Sequence, residues 1–201
     1  EASGISEPRR EASSLIANAI GRDRVFLVAH PEYILTEREA VAVDEFISRR
    51  SAREPFQYIV GRQEFYALDF LVNPSVLIPR PETELLVERA IDHLRKIEEP
   101  RFCEIGVGSG CISISVLSNV PNATAVAADI SEAALAVAAA NAQRHNVIDR
   151  LELIRSDLFD GLPRGPYHAI LSNPPYIPSN EIAGLQPEVR DFEPVNALTD
   201  G

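Results

Sequence analysis

The sequence predicts an α/β chain: a doubly wound parallel sheet, preceded by a small helical unit and a linking β-hairpin. Three observations lead there. From residue 101 onward, short apolar runs at 102–106, 124–129, 151–155 and 168–172 alternate with helix-period segments at 110–118 and 131–145. Upstream of residue 60 the apolar spacing is helical throughout. Between the two regions, Glu64-Phe65-Tyr66 and Phe70-Leu71-Val72 flank Ala67-Leu68-Asp69 as the arms and tip of a hairpin.

Each element has its own signals. Residues 9–20 read as a helix ended by Gly21, and residues 23–29 as a short helix stopped at His30-Pro31. Thr36 is placed to cap a helix over 37–50, with Val41, Phe46 and Ile47 on its apolar face. Another short helix over 55–60 ends at Gly61. An amphipathic helix over 82–96 is entered through Pro79-Arg80-Pro81, with Pro81 near the first helical position. Arg80 and Glu84 are spaced to pair and anchor this linker. Ser131 is placed to cap an Ala-rich helix suited to close packing on the sheet. The expected division is 1–75 for the helical unit with its hairpin and 76–201 for the sheet domain.

The net charge of −11 is spread evenly, −5 over residues 1–100 and −6 over 101–201, with no basic block or stripe. That weighs against stable nucleic-acid binding. Cys103 and Cys111 form no CxxC pair and have no nearby His, so no metal site is expected. Two free thiols fit a reducing cytoplasm. No apolar run reaches the ~18 residues of a membrane span, and no signal peptide stands at the start. The chain contains no Met, begins at Glu1 and stops at Asp200-Gly201, so it is expected to be a piece of a longer protein.

The chemistry gathers at the expected carboxyl ends of the strands. Glu104-Ile105-Gly106-Val107-Gly108-Ser109-Gly110 sits where the first strand meets its helix, a turn that lets backbone approach a ligand beside free helix N–H groups. Its GxGxG spacing departs from the GxGxxG of dinucleotide sites, which leaves an oxidoreductase a distant reading. Asp129 ends the second strand, where a carboxylate can accept from both hydroxyls of a ribose. Asp157 follows the third, placed to accept from an adenine amine while Leu158 packs on the ring. Either acid alone is better explained by a cap or turn; three such groups on successive strands define one crevice.

The fourth strand delivers Asn173-Pro174-Pro175-Tyr176 to the same edge. Neither proline can donate to a sheet ladder, so the segment suits a rigid pocket wall. The Asn173 side-chain oxygen and the Pro174 carbonyl can accept both hydrogens of a planar NH2 group, with Tyr176 over its face. That is an arrangement for transferring a methyl group to an amide or an exocyclic amine.

At this point the sequence resembles the class I S-adenosylmethionine-dependent methyltransferases, and among them the protein-(glutamine-N5) methyltransferases of peptide chain release factors, the HemK/PrmC family. The resemblance runs over nearly the whole chain. It rests on the helical N-terminal region, Gly61-Arg62-Gln63-Glu64-Phe65-Tyr66, Leu77-Ile78-Pro79-Arg80-Pro81-Glu82-Thr83-Glu84, the Glu104–Gly110 loop, Ser156-Asp157, Asn173–Tyr176 and Val189-Arg190-Asp191-Phe192-Glu193-Pro194. The relative acting on ribosomal protein L3 has Pro-Arg-Ser-Pro where this chain has Pro79-Arg80-Pro81-Glu82, which favours release factors.

The resemblance implies a Rossmann-like methyltransferase sheet of seven strands. Only four are legible here, so the sheet is expected to be truncated after its fourth, leaving an open edge. It implies S-adenosylmethionine as cofactor and S-adenosylhomocysteine as product, held by Glu104, Gly106, Val107, Gly108, Ser109, Gly110, Asp129, Asp157, Leu158 and Asn173. Some relatives carry Trp in place of Leu158. Asn173, Pro174, Pro175 and Tyr176 would bind the substrate, with Asn173, Pro174 and Tyr176 catalytic. The partner would be a class 1 release factor, recognised through the helical unit, and the enzyme a cytoplasmic monomer. Two other readings stay open: an amine methyltransferase acting on a ribosomal protein or on adenine or guanine, and a binding module without turnover.

Overall fold

The structure, a computed structural model, describes residues 4, 5 and 7–199; Glu1, Asp200 and Gly201, noted above, lie outside them. The chain forms two compact units: residues 1–61 with 186–192, and residues 62–185 with 193–201.

The first unit is helical: α1 (Pro8–Ala19), α2 (Arg24–Ala29), α3 (Glu37–Ser51), α4 (Phe56–Val60) and, from much later in the chain, α8 (Pro187–Phe192). Thr36 caps α3 as the sequence predicts. Its hydroxyl accepts from the Glu39 N–H while Glu39 accepts from the Thr36 N–H, a reciprocal pair that satisfies two orphan donors. The unit holds a partly buried ion cluster around Arg50. Arg50 gives Nε to Glu11 at 2.6 Å and Nη1 to Glu188 at 3.0 Å, and Arg53 Nη2 meets the other Glu188 oxygen at 2.6 Å. Burial alone would raise the Glu188 carboxyl; its backbone bond and the two guanidiniums hold it below the ordinary range.

The second unit opens with a hairpin, β1 (Arg62–Phe65) and β2 (Leu68–Leu71). Its register pairs Phe65 with Leu68, so the tip is Tyr66-Ala67 rather than the expected 67–69. Both tip residues have positive φ, 51° and 57°, which a two-residue hairpin turn demands and which Tyr and Ala rarely supply. The Glu84 carboxylate holds the turn by accepting the Tyr66 N–H at 2.8 Å.

After α5 (Glu84–Leu94) come β3 (Arg101–Ile105), α6 (Cys111–Asn119), β4 (Thr124–Asp129), α7 (Glu132–Arg144), β5 (Leu151–Arg155) and β6 (Ala169–Ser172). The four strands β3 to β6 are parallel, in the order β5-β4-β3-β6. The winding reverses beside β3, so the crevice between the carboxyl ends of β3 and β6 is the switch point where such sheets bind ligands. Phe102, Ala125 and Ala127 on one face join α5, α6 and α7 in the main core, while Cys103, Ile105 and Ala128 on the other face pack with Leu162 and Tyr167. His168 has a structural place: its Nδ1 accepts the Arg101 N–H at 3.0 Å and its own N–H meets the Arg101 carbonyl at 2.7 Å. Among the described residues, no helix is long and apolar enough to cross a membrane.

Candidate active site

The register brings the expected site residues to one edge. Ile105 pairs with Ser172 and with Ala128, and Asp129 with Arg155. Gly106, Ile130, Ser156 and Asn173 therefore follow the strand ends on the same side of the sheet. The Ser172 hydroxyl donates to the Ile105 carbonyl at 2.9 Å and ties the two strand ends together. Above them lies a cavity of about 580 Å³, within the size of small-molecule sites. Glu104, Gly106, Val107, Gly108, Ser109, Asp129, Asp157, Leu158, Asn173, Pro174 and Pro175 all line it.

Two expected residues are placed elsewhere. Gly110 stands behind the wall, at the start of α6, where an added Cβ would come within 2.8 Å of Ile114 Cδ1 and 3.4 Å of Ala138 Cβ. Its lack of a side chain lets α6 and α7 pack closely. Tyr176 is 77% exposed and outside the lining.

The Gly-rich loop is fixed from beneath. The N–H groups of Gly106 and Val107 both donate to the Ala128 carbonyl at 2.9 Å, and the Gly108 N–H to Asp129 Oδ2 at 2.9 Å. The other Asp129 oxygen accepts the Ser131 N–H at 2.9 Å. Asp129 is thus oriented by two backbone donors, with lone pairs left over for a ligand. Asn141 of α7, fully buried, latches the loop to the hairpin: it accepts the Leu71 N–H at 2.7 Å and donates to the carbonyls of Leu71 and Ser109 at 3.0 and 2.9 Å.

Glu104 is 1% exposed. One oxygen accepts both the N–H and the hydroxyl of Ser113, and no donor among the described residues reaches the other. Burial pushes its carboxyl up to about 8, against the two Ser113 bonds and with the help of the neighbouring Asp129 charge. A perturbed carboxyl facing a cavity makes a candidate ligand site.

The residues present fit S-adenosylmethionine. At Gly106 and Gly108, with φ of 74° and 52°, a Cβ would point into open space with nothing within 4 Å; the backbone there is a cradle with room above it. The donor-free oxygen of Glu104 suits a cationic or N–H group. Ile130 and Leu158 line the cavity while 54% and 62% exposed, so a flat apolar ring can cover both.

The substrate side shows what the sequence did not reveal. Arg80 pairs with Glu193 at 2.5 Å, not with Glu84, which is occupied at the hairpin turn. Glu193 is buried and also accepts the Ile78 N–H at 3.3 Å. The Ile78–Glu84 and Phe192–Pro194 motifs therefore meet through one carboxylate, and Arg80, Thr83 and Pro194 line the cavity. Thr83 Oγ1 accepts from Asn173 Nδ2 at 3.4 Å.

Known proteins resemble this chain in sequence and in fold. Residues 1–61 match the family described as PrmC N-terminal domain, and residues 81–184 the methyltransferase small domain. The chain is 43% identical over its whole length to the release factor glutamine methyltransferase of Nitratidesulfovibrio vulgaris and covers 68% of that protein. It is also 43% identical to the enzyme of the same name from Geobacter sulfurreducens, over 98% of this chain and 68% of that one. Among solved structures, the hMettl16 catalytic domain, in complex with the MAT2A 3'UTR hairpin 6, aligns with a TM-score of 0.53 and 17% identity, over 67% of this chain and 51% of that one; this supports the sheet architecture alone. The cradle, the strand-end acids and the Asn173-Pro174-Pro175 wall thus occur in a chain that belongs to the release factor glutamine methyltransferase family.

Proposed function

We propose that this protein transfers a methyl group from S-adenosylmethionine to the side-chain amide nitrogen (N5) of the Gln in the Gly-Gly-Gln motif of peptide chain release factors. The observation that carries the reading is the placing of Asn173 on the same cavity wall as the Gly106–Gly108 cradle, in a chain of this family.

Gly106, Val107, Gly108 and Ser109 would hold the methionine part of the cofactor, with Glu104 facing its cationic end. Asp129 would hold the ribose, and Asp157 with Leu158 and Ile130 the adenine. When bound, S-adenosylmethionine supplies the methyl as an electrophile on a sulfonium and leaves as S-adenosylhomocysteine. An amide nitrogen is a poor nucleophile because its lone pair is delocalised into the carbonyl. Asn173 Oδ1 and the Pro174 carbonyl, accepting its two hydrogens, favour pyramidalisation and direct the lone pair along the transfer line. The proton is lost after the nitrogen has become cationic, so no strong base is needed, and catalysis is positioning plus fixed dipoles. Pro175 stiffens the wall; Tyr176, exposed, acts where the incoming protein loop enters.

The helical unit is the proposed surface for the release factor. It exposes Val25, Val28, Ile34 and Val41 in and around α2 and on α3. The acidic composition, without a basic cluster, supports a protein substrate over a nucleic acid. We take the working enzyme to be a cytoplasmic monomer, which sedimentation of the purified protein tests.

The deciding experiment is transfer of tritiated methyl from S-adenosylmethionine to purified release factor, wild type against a Gly-Gly-Gln→Gly-Gly-Ala variant, with this chain and with a version extended at its C-terminus. Label on wild-type factor alone is expected. Equal label on both factors, or label on ribosomal protein or RNA in their place, overturns the assignment.

A further inference from the structure

We propose that Thr83 is a positioning residue: its hydroxyl holds the NH2 end of the Asn173 carboxamide, so that Asn173 Oδ1 is the end turned toward the substrate amide. The inference rests on the reading of Asn173 as the acceptor for that amide.

Three observations converge on it. First, Asn173 Nδ2 donates to Thr83 Oγ1 at 3.4 Å, and both residues line the cavity. Second, Thr83 is the last residue of a 3-10 turn, Pro81–Thr83, that runs directly into α5. Here the backbone is helical, with φ of −71° and ψ of −17°, and the side chain caps nothing. The hydroxyl is left to Asn173 instead. Third, α5 is itself anchored, because Glu84 at its first turn is bonded to Tyr66, and Arg80 three residues before Thr83 is bonded to the buried Glu193.

The chemistry needs such a partner. An Asn carboxamide rotates about a broad, roughly two-fold torsion, and its two ends have opposite hydrogen-bonding character. Turned the wrong way, it would present NH2 to the substrate NH2, donor against donor. The segment after Asn173 is two prolines, which offer no backbone N–H to select the orientation. In the structure the Thr83 oxygen accepts from Nδ2, and this is the productive orientation. This also gives the Pro-Glu-Thr-Glu stretch a task beyond starting a helix: Glu84 fixes the hairpin, and Thr83 sets the acceptor.

Thr83→Val removes the hydroxyl at nearly constant shape, and Thr83→Ser retains it. With saturating release factor and S-adenosylmethionine, Thr83→Val is expected to lower kcat by about 3- to 10-fold, the span of one lost neutral hydrogen bond. Both KM values should stay unchanged, and Thr83→Ser should restore turnover. Independently of activity, the Asn173 side-chain amide signals in a nitrogen-labelled sample, assigned by their loss in Asn173→Asp, should move toward solvent-like shifts and faster rotation in Thr83→Val but not in Thr83→Ser. Wild-type kcat in Thr83→Val, or equal losses in both variants, overturns the proposal. If the wild-type protein transfers no methyl to release factor, it is the functional reading that fails. The amide signals then decide for Thr83: no change in Thr83→Val removes the positioning role.

Discussion

Glu104 is where burial and charge oppose each other most directly in this molecule. Its carboxyl, ordinarily near 4.5, is raised to about 8 by desolvation. The folded protein thus keeps a proton over a pH range in which the unfolded chain has lost it, and stability contributed at acid pH is lost as pH rises between those two values. Glu104→Gln, which mimics the protonated form, should therefore match the wild-type Tm near pH 4.5 and exceed it by several degrees at pH 8, with a plateau above; parallel Tm curves for the two proteins would contradict this. Asn173 is the opposite case, a neutral group whose proposed role lies in the transition state. Asn173→Ala should lower kcat by ~10²-fold or more, as loss of a preorganised dipole does, in a protein that still binds the cofactor by calorimetry. Near-normal turnover by a folded Asn173→Ala protein would remove the mechanism.

At the level of elements, α7 does more than cross between strands. Asn141, buried in its last third, makes three hydrogen bonds that join β2, α7 and the Gly-rich loop. Asn141→Leu leaves two carbonyls and an N–H without partners and should cost about 2–4 kcal/mol of stability, together with weaker cofactor binding; both follow from thermal melts with and without the cofactor. Asn141 also marks the boundary of what could be read from sequence. The strands, the helices α3, α5, α6 and α7 and the strand-end acids were legible because period and capping chemistry are local. The hairpin tip was not, because Tyr66-Ala67 carries no Gly or Asn signal and its conformation is held by Glu84 from 18 residues away. The Arg80–Glu193 pair, the Thr83–Asn173 bond and the Asn141 latch span 113, 90 and 70 residues. Nothing in the sequence between such partners announces them. Arg80 had a plausible local partner in Glu84, and only tertiary structure gives it to Glu193.

For the whole molecule, the proposed chemistry and the proposed recognition fall in different compact units. The cavity belongs entirely to the second, while the exposed Val25, Val28, Ile34 and Val41 belong to the first. A charge placed in that apolar surface should act on substrate capture and not on the chemical step: Val28→Asp should raise KM for release factor by about 10-fold or more, as loss of an interface contact worth over 1 kcal/mol does, while kcat and cofactor affinity hold. A fall in kcat at unchanged KM would place recognition elsewhere. The chain leaves the second unit after Leu185, contributes α8 to the first, and returns at Glu193. Glu188 in that excursion pairs with both Arg50 and Arg53. The helical unit is therefore not a portable cassette. A chimera that exchanges residues 1–61 for those of a relative would lose Arg50 and Arg53 and leave Glu188 facing a foreign surface, so specificity grafting onto this chain has to carry 186–192 along with the N-terminus.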